Sequence, residues 1–301
     1  MAVPLFTHPI YTASLADEAR FPKHRYDLVA RELRRRGLDH AIVRSPKARR
    51  AQILSSHAAA YVDAFLEGRL DPADQRRIGL TPWTPRIVDR TLHLMGGSLA
   101  ALDGALRQGV GGHMAGGTHH AHRASGSGYC VFNDIPIVVA AARGRGLERA
   151  LIIDLDVHQG DGTASILQRD PMAFSFSMHC RNNFPFRKAR SNFDLALPAG
   201  THDAAYLAAL SYHLPRLVEL HRPELVIFQA GVDPLAEDHL GLLALTRAGL
   251  ARRNRVVFEH TAGRRIPTVV LMGGGYARPI EASVAAHADV FEEASRWSFT
   301  P

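Results

Sequence analysis

The stretch Leu151-Ile-Ile-Asp-Leu-Asp-Val-His-Gln-Gly-Asp-Gly162 runs from unbroken apolar residues straight into carboxylates and an imidazole. A short apolar run without alternation is the pattern of a strand buried on both faces, as in a parallel sheet. Alternate residues of a strand share a face, so the spacing predicts that Asp154, Asp156 and His158 point the same way. Three such groups at the end of a buried strand are costly unless something cationic holds them. A divalent metal meets that need, because oxygen and nitrogen ligands at this spacing suit zinc or iron. Taken alone, the segment also admits a plainer reading, with Asp156 capping a helix and His158 satisfied in a loop.

Working outward, three further segments favour the metal. Gly116-Gly-Thr-His-His-Ala-His122 carries adjacent histidines in a glycine-rich loop, Leu225-Val-Ile-Phe-Gln-Ala-Gly-Val-Asp-Pro234 is a second apolar strand finishing on Asp233, and Thr268-Val-Val-Leu-Met-Gly-Gly-Gly-Tyr276 is a third, finishing on glycines and Tyr276. Ligand sites of open parallel α/β sheets lie at the carboxyl ends of the strands. Asp156, His158, Asp233 and Tyr276 sit where that rule puts a site, and the loop holding His119 and His120 can fold over the same edge. Each feature alone has an ordinary explanation, since paired histidines are often loop residues and a tyrosine is more often packing. Their joint occurrence at strand ends is what argues against those explanations.

Strands are expected at 150–155, 173–177, 225–229 and 268–272, with helices at 85–109, 133–143 and 204–220 between and around them. A further helix begins near His24 and ends on Arg34-Arg-Arg36. This alternation implies an α/β fold with a mainly parallel sheet and helices on both faces. No linker, repeat or low-complexity tract divides the chain, so residues 1–301 are expected to form a single domain.

The motifs together resemble the zinc-dependent histone deacetylases of the arginase/deacetylase superfamily, and most of all bacterial relatives of the class IV branch. The resemblance rests on His119-His120, Gly128-Tyr-Cys-Val-Phe-Asn-Asp134, Asp154-Leu-Asp-Val-His158, Ala230-Gly-Val-Asp-Pro234 and Gly273-Gly-Gly-Tyr276, in the family's order. Arg20-Phe-Pro-Lys-His-Arg-Tyr26 is similar to the first loop of class IV, and Gln159 stands where many class I and II members have histidine. The resemblance implies an arginase-like arrangement and a hydrolase that removes acyl groups from lysine side chains.

By the same resemblance, Asp156, His158 and Asp233 would hold one Zn²⁺, with Fe²⁺ an alternative. His120 would be the general base, with His119 its electrostatic partner or acid. Asp154 would orient His119, Asp161 would orient His120, and Tyr276 would donate to the developing oxyanion. Gly128, Tyr129, Phe184 and Leu240 would line the acyl-lysine tunnel, Phe184 being the candidate for one wall and core packing its alternative. A structural potassium ion would use the side chains of Asp154 and Ser177 with nearby carbonyls.

Leu240 occupies the approximate place where polyamine-selective relatives carry an acidic gate, although Glu237 and Asp238 are near in sequence. Small acylated amines such as acetylpolyamines therefore stay open beside acyl-lysine peptides and proteins, with acetyl or longer acyl chains. A two-manganese ureohydrolase would need acids where Gly160 and Gly231 stand. A binding module that has lost catalysis would lack a ligand, a histidine or the tyrosine, and none is missing.

The composition is compatible with all of this. Hydrophobic residues at 46% are enough for a large core, and the two cysteines, Cys130 and Cys180, argue against a disulfide scaffold. Cys130 reads as packing rather than as a ligand. With no basic N-terminal patch leading an apolar segment and no run long enough for a bilayer, a cytoplasmic protein without membrane contact is expected. The net charge of +7 raises the question of nucleic acid. Arginine clusters at Arg34–Arg36, Arg49-Arg50 and Arg252-Arg253 carry much of it, but no nucleic-acid motif or aromatic interleaving goes with them. Arg34–Arg36 read as a solvated helix terminus whose cations favour the dipole.

Overall fold

A computed structural model describes residues 2–301. Eight strands form one sheet: β1 (Leu5–Thr7), β2 (Ile42–Arg44), β3 (Val110–His113), β4 (Ala150–Asp154), β5 (Ala173–Cys180), β6 (Phe193–Leu197), β7 (Leu225–Gln229) and β8 (Thr268–Leu271). Their order is β2-β1-β3-β8-β7-β4-β5-β6, and every pairing is parallel. The chain leaves β3 and re-enters the sheet at β4 beyond β7 and β8, which it fills in later. The carboxyl ends of β3, β8, β7 and β4 therefore meet where the winding reverses, the place where such sheets bind ligands.

The apolar runs are buried on both sides, as their lack of alternation requires. Leu151, Ile153, Val226 and Phe228 pack into one hydrophobic cluster, while Ile152, Leu225, Ile227 and Val269 pack into another. Each such side chain contributes about 1.5–3 kcal/mol relative to exposure.

The helices are α1 (Ile10–Ala13), α2 (Arg25–Arg35), α3 (Arg50–Leu54), α4 (Ala59–Leu66), α5 (Pro72–Ile78), α6 (Arg86–Gln108), α7 (Asp134–Arg143), α8 (Asp161–Leu167), α9 (Asp203–His221), α10 (Arg247–His260) and α11 (Glu281–Ser295). The expected helices at 85–109, 133–143 and 204–220 are α6, α7 and α9 to within one residue at each end. Asn133 starts α7 by accepting a hydrogen bond from Ile135 N (3.2 Å).

Four strands were not anticipated. β1 and β2 are three residues long, β3 is Val-Gly-Gly-His, whose glycines read as a loop, and β6 is a partly exposed edge. β5 also runs on to Cys180, three residues past the expected end.

Two of the arginine clusters hold an internal cation, and for Arg36 this corrects the solvated helix terminus expected above. Arg36 is not solvated: its guanidinium donates to Glu32, Asp289 and Glu292 at 2.7–2.9 Å, tying α2 to α11. Arg253 is fully buried and donates to the carbonyls of Gly231 (2.5 Å) and Ala230 (3.2 Å), directly beneath the turn that leads to Asp233. Arg253 is thus an internal cation, not surface charge. Among the described residues no helix is long and apolar enough to cross a membrane.

Candidate active site

β4 stops at Asp154, so Asp156 and His158 lie in the turn after the strand and not on it. The expected strand alternation is therefore not what brings them together. Backbone amides do that work. Asp156 N donates to Asp154 Oδ1 (3.2 Å), His158 N to Asp156 Oδ1 (3.0 Å), Val157 N to Asp233 Oδ1 (2.8 Å) and Gly274 N to Asp156 Oδ2 (2.8 Å). Asp233 and Asp156 are each oriented by an amide from a neighbouring strand end, and Asp154 by one from its own turn.

Asp156, His158 and Asp233 converge as a buried cluster of the kind that could hold a metal ion. His158 Nδ1 lies 3.0 Å from Asp156 Oδ1 and 3.0 Å from Asp233 Oδ2. A tetrahedral ion with bonds of about 2.0–2.2 Å needs ligand atoms about 3.3 Å apart, so the spacing fits. The charge fits too. Burial opposes ionisation of Asp233, and the neighbouring Asp156 adds to it, pushing the carboxyl up to about 8. Burial also opposes a charged His158, yet the two carboxylates outweigh it and hold the imidazole up to about 10. At neutral pH the cluster therefore holds two protons, one on His158 and one on Asp233, and a divalent cation can take the place of both.

Small residues keep this space clear. A side chain at Gly231 would begin 2.3 Å from Asp156 Oδ2, and one at Gly274 would begin 2.0 Å from Asp233 Oδ2. Gly160 is similarly pressed against Asp154 Oδ2, at 2.5 Å. No carboxylate could stand at Gly160 or Gly231, which removes the second-metal ligands of a ureohydrolase.

Beside the cluster stand two buried His–Asp pairs. His119 Nδ1 donates to Asp154 Oδ2 (2.8 Å), and His120 Nδ1 donates to Asp161 Oδ1 (2.7 Å). Asp154 thus faces His119 and not the cluster of three, although His119 Nε2 comes within 3.9 Å of Asp156 Oδ1. The two rings, 4.2 Å apart, are driven in opposite directions. Burial disfavours a charged His119, but Asp154 and Asp156 overcome it and raise the ring to about 9. Burial and then the neighbouring His119 push His120 down to about 4, against the pull of Asp161. Loop 117–120 is pinned from below, where Asp134 accepts from Gly117 N, Thr118 N and Thr118 Oγ1 at 2.8–2.9 Å.

One cavity of about 980 Å³ reaches this site and is lined there by His119, His120, Asp156, His158 and Tyr276, with Asp154, Asp161 and Asp233 behind them. Gly128, Tyr129, Phe184 and Leu240 are among the residues that line it. Phe184 is 36% exposed and meets the His120 ring edge-on at 4.9 Å, so it is wall and not core. Tyr129 holds a left-handed backbone (φ 65°), a strain of roughly 1–3 kcal/mol, secured by Tyr129 N donating to Ile78 O (2.7 Å). Cys130 is buried and free, its thiol donating to Gly128 O (3.2 Å), and it touches the cavity as packing. Ser177 is the register partner of Asp154, and its hydroxyl pairs with His179 Nδ1 (2.9 Å).

Several residues here drew no role from the sequence. Arg25 is buried and donates to Gly275 O (2.9 Å) and Gly273 O (3.1 Å), bracing the loop that carries Tyr276. Asp238, considered above as a nearby acid for a cationic substrate, is turned inward: it accepts from Leu240 N, Gly241 N and Tyr276 N. Phe21 packs edge-on against Tyr129 (5.2 Å) and Tyr276 (6.4 Å). Arg25 and Phe21 sit within the quoted Arg20–Tyr26 segment, but their partners lie far along the chain.

Comparison with known proteins agrees with this geometry. The histone deacetylase domain pattern matches residues 19–291. An uncharacterised protein of Picosynechococcus is 43% identical over 290 residues, covering 95% of this chain and 96% of that one. Histone deacetylase 2 of Arabidopsis thaliana is 35% identical over 67% of this chain but only 52% of its own length. A polyamine deacetylase of Rattus norvegicus is 35% identical over 59% of this chain and 33% of its own length. The chain thus spans about half or less of these two named relatives. Among solved structures, a histone deacetylase homolog complexed with SAHA superimposes with a TM-score of 0.85 at 25% identity, over 98% of this chain and 84% of that one. A homolog from Aquifex aeolicus has the same fold, with a TM-score of 0.85 at 24% identity. On the extent of these matches, the chain belongs to the histone deacetylase family.

Proposed function

We propose that the chain is a zinc-dependent hydrolase that removes acyl groups from lysine side chains of peptides or proteins, residues 1–301 acting as one catalytic unit. The observation that carries this reading is the meeting of a three-ligand cluster, two His–Asp pairs and Tyr276 at the floor of one cavity. Asp156, His158 and Asp233 would hold the ion, zinc or else ferrous iron. When bound it would supply Lewis acidity to the amide carbonyl and acidity to a water.

The chain's own groups then divide the proton work. His120, with Nδ1 committed to Asp161, presents Nε2 as a neutral acceptor and takes the proton of the attacking water. His119, whose Nδ1 is held by Asp154, supports the charged form, lends positive potential beside the reacting carbonyl and serves as acid toward the leaving amine. The opposite shifts of the two rings support this division. Tyr276, its phenol held protonated by burial, donates from Oη to the carbonyl oxygen as charge develops there. Water and amide give a carboxylate and a free amine. Tyr129 and Phe184 would flank the alkyl stem, whose charge acylation has removed. A potassium ion beside Asp154 and Ser177 belongs to the same proposal, as does membership of the class IV branch, for which Gln159 speaks.

The buried residues Tyr26, Arg90 and Leu94 also line the cavity, and this added room supports acyl chains longer than acetyl as well as acetyl itself. A polyamine substrate is the weaker reading, because Asp156 is the one carboxylate among the lining residues and lies at the floor. The test is turnover of acetyl- and octanoyl-lysine peptides by zinc-loaded protein beside Tyr276→Phe. Turnover that collapses in the variant is expected. No turnover of any acyl-lysine with zinc bound would contradict the proposal and turn attention to small acylated amines.

A further inference from the structure

The cavity mouth has two unlike sides. On one, Phe184, Phe186, Leu240 and Leu242 stand 36%, 89%, 38% and 47% exposed. On the other are Arg20, before α2, and Arg76 and Arg77, in the last turn of α5. Arg77 is committed to Asp74 and to Gly126 O (3.0 Å). Arg20 and Arg76 are exposed and make no hydrogen bond or ion pair with any described residue. This contrasts with much of the arginine elsewhere: Arg36, Arg50, Arg143, Arg149 and Arg247 all hold a carboxylate.

The free arginines are not on loose ends. Ile78, two residues after Arg76, receives the Tyr129 amide, and Gly79 lies against the Tyr129 ring. Phe21, next to Arg20, packs on both Tyr129 and Tyr276. Each cation is therefore carried by a segment fastened to the slot wall, within reach of whatever flanks a side chain inserted there. Arg187 and Arg190 extend the positive field along the loop that bears Phe184 and Phe186. No lining acid opposes them at the mouth, since Asp156 is at the floor and Asp238 is spent on backbone amides.

Resting on the acyl-lysine reading above, we propose that this mouth selects acylated lysines flanked by acidic residues, Arg20 and Arg76 meeting the flanking carboxylates while Phe186 and Leu242 take an apolar neighbour. Exposed charges of this kind guide encounter and orientation more than they add affinity. The expected preference is therefore modest, and screened by salt.

Labelled acetyl-lysine peptides that differ only in their flanks (Asp/Glu, Gln/Ser or Lys/Arg) would be compared on zinc-loaded protein. Anisotropy reads binding, and kcat/KM is measured in parallel, at low and high ionic strength. We expect the acidic peptide to be favoured over the basic one by roughly 3–10-fold at low salt. The ratio should fall to within about twofold at high salt, and likewise in the double variant Arg20→Gln/Arg76→Gln. Equal binding of the three peptides, a ratio unchanged in the double variant, or tighter binding of a single-stranded oligonucleotide than of the acidic peptide would overturn the proposal. Acidic preference in binding without turnover would keep it and remove the hydrolase reading, whereas turnover without preference would do the reverse.

Discussion

At the floor of the cavity the acids are held by amides, whereas at the mouth Arg20 and Arg76 pair with no described residue and Phe186 stands 89% exposed. Asp156 and Asp233 are oriented by Gly274 N and Val157 N, the two histidines by Asp154 and Asp161, and the loop beneath them by Asp134. Arg20, Arg76 and Phe186, by contrast, project into solvent. The difference is between groups that must hold charge in a dry place and groups that need only meet a partner. A buried carboxylate left unsupported costs several kcal/mol, so the floor admits one arrangement. The mouth costs little in any arrangement and is free to vary with the substrate. Chemistry is thus written into the floor and selection into the mouth, and substitutions should act all-or-none in one and by degrees in the other.

The largest effect should come from Asp233→Asn. It should lower kcat/KM more than about 10³-fold. It should also abolish the rise in Tm that zinc gives the wild type, measured by a thermal scan with and without the ion. Retained zinc stabilisation in that variant would show that the cluster is not the metal site. Next, Tyr276→Phe should reduce kcat by about 10²–10³-fold with KM nearly unchanged, since the phenol is asked to act only as charge develops. An equal loss carried in KM would move Tyr276 from chemistry to binding.

The histidines packed around the floor set an acid limit. Burial pushes His57 and His113 down to about 4, so both are neutral in the fold. Each would titrate near 6.5 when unfolded. Their contribution is complete above about pH 6.5 and is lost as pH falls toward 4, on the order of 3 kcal/mol per group by then. Denaturant unfolding between pH 7 and 4.5 should show that loss. His57→Gln, whose amide oxygen can still accept from Asn133 N, should flatten the slope. The smallest effect belongs to the upper wall. Phe184→Ala should raise KM roughly 3–10-fold and leave kcat within a few-fold, because the ring guides the stem and does not touch the reacting bond.

Much of the floor was legible because a parallel sheet gathers its polar strand-end residues at one edge, so runs ending in Asp154, Asp233 and Tyr276 announce themselves. The tandem histidines and Asp161 followed from their place in the family's motif order. What stayed hidden depends on contacts distant in sequence. Arg25 reaches Gly275 across 250 positions and Arg253 reaches Gly231 across 22, and in the sequence both look like ordinary surface cations. Asp238 drew notice as a nearby acid, but nothing local reveals that Tyr276 N and two further amides claim it. Even the correct grouping of Asp156 with His158 had a mistaken cause: the strand ends before them, and backbone hydrogen bonds from other strand ends do the aligning. β3 was missed because Gly111 and Gly112 carry no strand signal, although the fold needs their small size, Gly111 against α6 and Gly112 against Leu5 and Phe291.

The most direct test of the central claim is acyl-lysine turnover as a function of zinc content, starting from chelator-treated protein and adding the ion in steps. The expected result is no turnover without metal, a rise proportional to occupancy and saturation at one zinc per chain. Full turnover by metal-free protein, or none with the site saturated, would contradict it.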